Sequence, residues 1–232
     1  MPVAVITGAS RGLGRALALE LAERRWHLAV NSRNPSEISA AAAELAARGA
    51  ASVVALPGSV SDPTHRRALV EAAARVGGVD LLVNNASLLG PSPQPRLADY
   101  PVEELEHVFA VNVLAPLALI QGMLPFLSNG VVVNVTSDAA VEAYDGWGGY
   151  GSSKAALDQL SAILAAEEPA IRVYAFDPGD MRTQMHQDAF PGEDISDRPE
   201  PETVVPLLLR LVEGGLPSGR YRAADLRAAV GS

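Results

Sequence analysis

Short apolar runs alternate with helix-patterned segments along this chain, and the turn after the first run is rich in glycine. No other feature narrows the possible folds as far. Strand candidates are Val3–Thr7, His27–Ser32, Ser52–Leu56, Asp80–Asn85, Gly130–Ser137, Ile171–Asp177 and Gly219–Ala223. Helical patterns fill the gaps at roughly 12–25, 35–48, 62–76, 101–127, 150–167 and 202–213. The strand runs are nearly continuous in apolar residues rather than alternating, the pattern of strands buried on both faces in a parallel sheet. Helix ends carry local signals: Asn34-Pro35-Ser36-Glu37 offers an N-cap, a proline at N1 and a glutamate at N3, and Gly49 closes the same helix. No linker or internal repeat divides the chain. The pattern predicts one α/β domain over residues 1–232, a doubly wound parallel sheet (Rossmann fold) of seven strands with helices on both faces.

Composition excludes several alternatives. A net charge of −9 argues against nucleic acid or an anionic membrane as the main partner. The absence of cysteine rules out disulfides, thiolate catalysis and cysteine-based metal sites. His27, His65, His107 and His186 are scattered without ligand spacing, so no metal is expected. The N-terminus enters a strand-like run at once, which is not the pattern of a signal peptide, and no apolar run approaches membrane-spanning length. A cytoplasmic enzyme is the expectation.

The turn Thr7-Gly8-Ala9-Ser10-Arg11-Gly12-Leu13-Gly14 opens a helix with Leu13, Leu17 and Leu21 on one face. Glycines let the backbone turn sharply and approach a pyrophosphate, and the helix N-terminus supplies N–H donors and a positive dipole. Taken alone it could be a structural turn; between the first strand and first helix of a βαβ unit it points to a dinucleotide. The second strand ends Asn31-Ser32-Arg33, placing Ser32 where an NAD site carries an acid, with a guanidinium beside it. Arg11 could supply a second cation. Guanidinium forks without a repelling carboxylate suit a 2′-phosphate, so NADP(H) is expected over NAD(H), although exposed arginines are also ordinary surface charge.

The chain holds seventeen arginines and one lysine, Lys154. It lies four residues after Tyr150, and Ser137 stands thirteen before that tyrosine, at the end of the run Val131–Thr136. On a helix Tyr150 and Lys154 share a face one turn apart. A hydroxyl, a phenol and an ammonium could converge there as a proton-transfer site.

With these residues in place the chain resembles the short-chain dehydrogenase/reductase family over almost its whole length. The matching motifs are T-G-x-x-x-G-x-G at Thr7–Gly14, N-N-A at Asn84–Ala86, Asn112 within V-N-V, Ser137, Tyr150-x-x-x-Lys154, and Pro178-Gly179-x-x-x-Thr183. The resemblance implies a catalytic tetrad of Asn112, Ser137, Tyr150 and Lys154. It also implies a cofactor site lined by Gly8, Ser10, Arg11, Gly12, Leu13, Gly14, Ser32, Arg33, Asn85, Ala86, Tyr150, Lys154, Pro178, Gly179 and Thr183. In that reading Tyr150 is the general acid/base, Lys154 lowers its pKa, Ser137 bonds the carbonyl oxygen, and Asn112 helps hold a proton-relaying water. Hydride passes between the nicotinamide and a carbonyl or secondary alcohol.

Departures from the family pattern are Ser87 after N-N-A, Ser59 for the usual adenine-contacting Asp, Tyr174 for a usual Asn, and an end without Asp-Gly-Gly. The last leaves a homodimer as open as a homotetramer. Self-association is expected through helices 101–127 and 150–167, which are apolar nearly all round; the alternative is that loops cover them. Residues 183–201 show little periodicity and are a lid candidate or a plain surface loop. Pocket candidates for a small carbonyl or alcohol substrate are Ser87, Leu88, Ala139, Tyr144, Trp147, Met181 and Met185. A serine hydrolase on a similar sheet is not expected. The second function class is an NADP(H)-binding redox sensor without turnover.

Overall fold

The computed structural model describes residues 1–228. Seven strands form one parallel sheet: β1 Val3–Ile6, β2 His27–Ser32, β3 Ser52–Pro57, β4 Leu81–Asn84, β5 Val131–Val135, β6 Arg172–Asp177 and β7 Gly219–Arg222. Their order is β3-β2-β1-β4-β5-β6-β7, so the winding reverses between β1 and β4. At such a switch point the loops beyond the two strands part and leave a crevice at the carboxyl ends. The registers Ala4–Leu28, Ala4–Leu81 and Leu81–Val131 stack apolar residues through the middle of the sheet. The expected fold class and all seven strands are present.

The helices divide between the two faces. Helices α1 Gly12–Glu23, α2 Pro35–Ala47, α8 Val205–Gly214 and α9 Ala223–Ala228 cover one face, where Leu17, Leu21, Ile38, Leu45 and Leu208 pack on Ile6, Val30 and Tyr174. The other carries α3 Pro63–Val76, α4 Val102–Phe109, α5 Ala115–Met123 and α6 Gly148–Glu167, with Leu69, Leu119 and Met123 against Val5, Leu82 and Val132. Caps follow the sequence: Asn34 Oδ1 accepts from the Ser36 and Glu37 amides, and Asp62 accepts from Thr64.

The structure differs from the sequence reading in four places. The segment 101–127 is not one regular helix: between α4 and α5 lies a π turn, Ala110–Leu114. Pro116 has no N–H to give the carbonyl of Asn112, its i−4 acceptor, and the ladder resets with the Ala115 amide on the Ala110 carbonyl. Residues 183–201 are not wholly irregular, since α7, Gln184–Ala189, begins on Thr183, whose hydroxyl accepts from the His186 amide. Helix α8 starts at Val205 rather than 202, after a 3₁₀ turn at Pro201–Thr203, and α9 was not expected at all. Finally, the stretch Val102–Phe126 is long and apolar enough to cross a membrane by length and composition, with a mean hydropathy of 1.8 over an 18-residue window. Half of that window is buried in the fold, as in a core helix.

Candidate active site

A cleft of about 920 Å³ lies over the carboxyl ends of β1, β4, β5 and β6. Its floor begins at the glycine loop. Gly8 and Gly12 have φ of +66° and +58°, and Arg11 extends into α1 with no side chain capping the helix. The first N–H groups of α1 are therefore free to meet an anion. A Cβ on Gly14 would stand 2.5 Å from Asn85 Nδ2 and 2.6 Å from the Gly8 carbonyl, so only glycine permits this approach. Asn85 holds the loop from below, its amide donating to the carbonyls of Thr7 and Gly8 at 2.9 and 3.0 Å. Thr7 Oγ1 in turn accepts from the Asn85 and Ala86 amides.

Ser32 lies buried with its hydroxyl on the Asn34 carbonyl, while Arg11 and Arg33 are exposed on the cleft rim. Glu37 stands on the same rim, held by Ser10 at 3.1 Å and by Asn34 at 3.0 Å. The expectation against a serine hydrolase overlooked that Gly8-Ala9-Ser10-Arg11-Gly12 spells G-x-S-x-G, the nucleophile elbow of α/β hydrolases. Here the Ser10 hydroxyl meets a carboxylate and not an imidazole, which is no nucleophile–base pair.

Sequence reasoning missed the support beneath the far end of the cleft. Buried Asn31 donates from Nδ2 to the Gly58 carbonyl at 2.9 Å, and the same nitrogen lies 2.7 Å from His65 Nε2. An amide nitrogen only donates, so that ring nitrogen accepts and the imidazole is neutral. Burial pushes the His65 pKa below its ordinary value. At the position of the expected adenine-contacting acid, Ser59 shares a 2.8 Å hydrogen bond with Ser61.

Of the expected tetrad, Ser137, Tyr150 and Lys154 come together at the other end, and Asn112 lies behind them. Lys154 is 2 % exposed, donates from Nζ to the Val135 carbonyl at 2.8 Å, and stands 5.4 Å from the centre of the Tyr150 ring. Desolvation lowers the lysine pKa to about 8, opposed by Asp158 one turn further along α6. Burial pushes the Tyr150 phenol well above its ordinary range; the Ser87 and Ser137 hydroxyls oppose this, and Asp177 and Asp138 add to it. Ser137 is placed by β5, after which its hydroxyl donates to Asp138 at 2.8 Å and accepts from the Ala139 amide. Asn112, 1 % exposed in the π turn, accepts from the Leu88 amide and the Ser87 hydroxyl and donates to the Leu88 carbonyl and Ser153 Oγ. Ser153 passes this contact on to the Tyr150 carbonyl at 2.7 Å. Asn112 thus reaches the Tyr–Lys helix through Ser153.

Pro178, Gly179 and Thr183 line the opposite wall, and a Cβ on Gly12 would come 3.6 Å from the Thr183 methyl. Beyond Tyr150 the cleft turns aromatic. Trp147 packs edge-on against both Tyr144 and Tyr150 and lies 5.8 Å from Phe190, ring to ring. Leu89, Met185 and Ala189 complete this apolar patch. Of the expected pocket residues, Ser87, Leu88, Trp147, Met181 and Met185 line the cleft; Ala139 is buried behind Tyr150 and Tyr144 lies at its edge. Among the described residues no group of three histidine, aspartate or glutamate side chains could hold a metal ion.

A doubly wound sheet, an uncapped glycine loop at its switch point, and a buried Tyr–Lys pair beside a strand-end serine define a nucleotide-dependent oxidoreductase. The family model for short chain dehydrogenases matches residues 2–194, and the chain belongs to that family. Sepiapterin reductase from Mus musculus is 36% identical over 200 residues, covering 80% of this chain and 76% of that protein. Benzil reductase ((S)-benzoin forming) from Saccharomyces cerevisiae is 33% identical over 197 residues, covering 80% and 74%. An alcohol dehydrogenase from Thermococcus sibiricus, solved with 5-hydroxy-NADP, superposes with a TM-score of 0.85 at 28% identity over 96% of this chain and 95% of its own.

Proposed function

We propose that this chain is an NADP(H)-dependent carbonyl reductase in which Tyr150 is the general acid and, in reverse, the general base. The observation that carries the reading is the buried Tyr150–Lys154 pair, open to the cleft that begins at the glycine loop. A lysine nine-tenths buried is costly unless its charge is used, and here that charge faces a phenol. At neutral pH a lysine titrating near 8 is mostly ammonium. It stabilises the phenolate left when Tyr150 gives its proton to a carbonyl oxygen, and can then restore that proton. Ser137 turns its hydroxyl from Asp138 to the same oxygen, fixing the carbonyl carbon. Asn112 holds Ser87 and, through Ser153, the first turns of α6. The dinucleotide, when bound, supplies the hydride.

The glycine loop suits its pyrophosphate, and Arg11 and Arg33 suit a 2′-phosphate. The NADP complex of the Thermococcus relative supports that preference. The aromatic patch of Trp147 and Phe190 favours a flat aromatic ketone or diketone, in keeping with the relatives named for sepiapterin and benzil. We also infer self-association through α4–α5 and α6, where Leu114 and Ile163 stay 57% and 43% exposed; a monomeric mass by light scattering would exclude it. The functional test follows NADPH absorbance with benzil, sepiapterin and simple ketones. The expected outcome is decay with at least one; NADPH binding without decay on any, or with NADP⁺ and the matching alcohols, would overturn the reading in favour of a sensor.

A further inference from the structure

We propose that Arg220, on β7, is a positioning residue for this reaction: one guanidinium ties the Ser137 strand end, the start of the Pro178-Gly179 turn and the Lys154 helix into a single rigid unit. The proposal rests on the roles given above to Ser137, Tyr150 and Lys154. Arg220 Nη2 donates to the Ser137 carbonyl at 3.0 Å and to Asp177 Oδ2 at 3.0 Å, and Nε donates to Asp158 Oδ2 at 2.9 Å. Asp177 uses its other oxygen to accept from the Gly179 amide at 3.0 Å, so the same carboxylate shapes the turn on the cofactor wall. Asp158 lies one turn after Lys154 on α6. Three elements that each carry a part of the site are therefore held by one side chain from a fourth. Residue 220 also lies beyond the stretch that the family model matches.

The geometry needs arginine. A planar fork can address a carbonyl and two carboxylates in fixed directions, whereas an ammonium on a flexible stem cannot reproduce that pattern. Exposed ion pairs contribute little, but this one is inside: the side chains of Asp177 and Asp158 are 4% and 15% exposed, and that of Arg220 is 26% exposed. The charge has a second effect. The charged groups acting on the Tyr150–Lys154 pair are Asp158 from α6, Asp138 after β5 and Asp177 at the end of β6. Asp158 raises the lysine pKa, while Asp177 and Asp138 raise that of the phenol. Arg220 is the cation bonded to two of these three carboxylates; without it both act on the pair uncompensated.

Because the chain holds a single lysine, ¹³C-labelled lysine gives one ε-carbon resonance, and its titration reads Lys154 directly in the intact protein. In Arg220→Gln the midpoint should move up by about half a pH unit or more, and in the double variant Arg220→Gln, Asp158→Asn it should return. In the same protein kcat should fall about tenfold or more while the KM for NADPH changes less, with partial rescue by added guanidinium. An unchanged lysine midpoint, or an unchanged kcat, overturns the proposal. If Arg220→Gln fails to fold, Asp158→Asn alone should lower the midpoint and kcat; no change in either has the same force. A wild-type chain that reduces nothing overturns the functional reading, and the lysine titration then decides the role of Arg220 by itself.

Discussion

Lys154 lies at a depth where a cation must be put to use, and its partners say how. Its Nζ has one short bond to the Val135 carbonyl and otherwise faces the Tyr150 ring. The phenol, pushed up by burial, is a poor base by itself, and in the proposed mechanism the neighbouring ammonium is what would lower its pKa. Tyr150→Phe is expected to bind NADPH as wild type does and to lose about 10²–10⁴-fold in kcat, read by fluorescence titration and steady-state kinetics. In Lys154→Met the phenolate loses its cation, so the base limb of the alcohol-oxidation profile should move to higher pH; a limb that stays in place counts against the pairing. Arg33→Asp should raise the KM for NADPH about tenfold or more by putting a carboxylate against the 2′-phosphate, with little effect on NADH. Glu37 already brings one carboxylate to that rim, pinned by Ser10 and Asn34, which makes Arg33 the sharper test.

The π turn between α4 and α5 works at the scale of elements. It carries Asn112 to the point where the β4 loop, α5 and α6 meet, and all of the side chain's amide capacity goes to Ser87, Leu88 and Ser153. Asn112→Ala leaves the part-buried Leu88 N–H and C=O, and the buried Ser153 hydroxyl, without their partner. A loss of about 2 kcal/mol, or roughly 4–8 °C in Tm, is expected from such unsatisfied groups, together with a fall in kcat as the Ser87 hydroxyl loses its anchor. Calorimetry beside kinetics checks both, and a kcat that falls with no change in Tm would argue against this structural link. Pro116, four residues after Asn112, was the available signal for the break, since a proline cannot serve its i−4 carbonyl. The apolar pattern masked it, because residues on every side of 101–127 are hydrophobic. In the same way α7 escaped detection: six residues are too few for periodicity, and the Thr183 cap alone starts them.

Across the whole molecule, acid should act through His65, which joins α3 to the ends of β2 and β3. The unfolded imidazole takes up a proton near its ordinary pKa of 6.5, while the buried ring, accepting from Asn31, resists until lower pH. Its contribution to stability is complete above pH 6.5 and is lost as the pH falls through that value toward the depressed folded pKa. The urea midpoint should be level from pH 8 to 7 and drop below 6.5, and His65→Gln should flatten that slope; an equal slope in the variant assigns the effect elsewhere. Much of the molecule was legible in advance. Buried parallel strands write themselves as continuous apolar runs, and a glycine loop or a Tyr-x-x-x-Lys pair depends on neighbours within one element, so the fold class, all seven strands and the Tyr150–Lys154 pairing could be read locally, whereas Asn112 entered only through the family resemblance. The clamp of Arg220 could not, since residues 137, 158, 177 and 220 meet only after four elements have packed. Nor could the Asn31–His65 pair or the aromatic patch of Trp147 and Phe190, whose members come from different loops. By itself the sequence determined which residues are strands, which turn can approach a phosphate and which phenol shares a helical turn with the lysine, because those depend on covalent geometry and spacing. Tertiary structure alone decided which carboxylates face that pair and which cation holds them, because desolvation and charge pairing act through space between segments far apart in the chain.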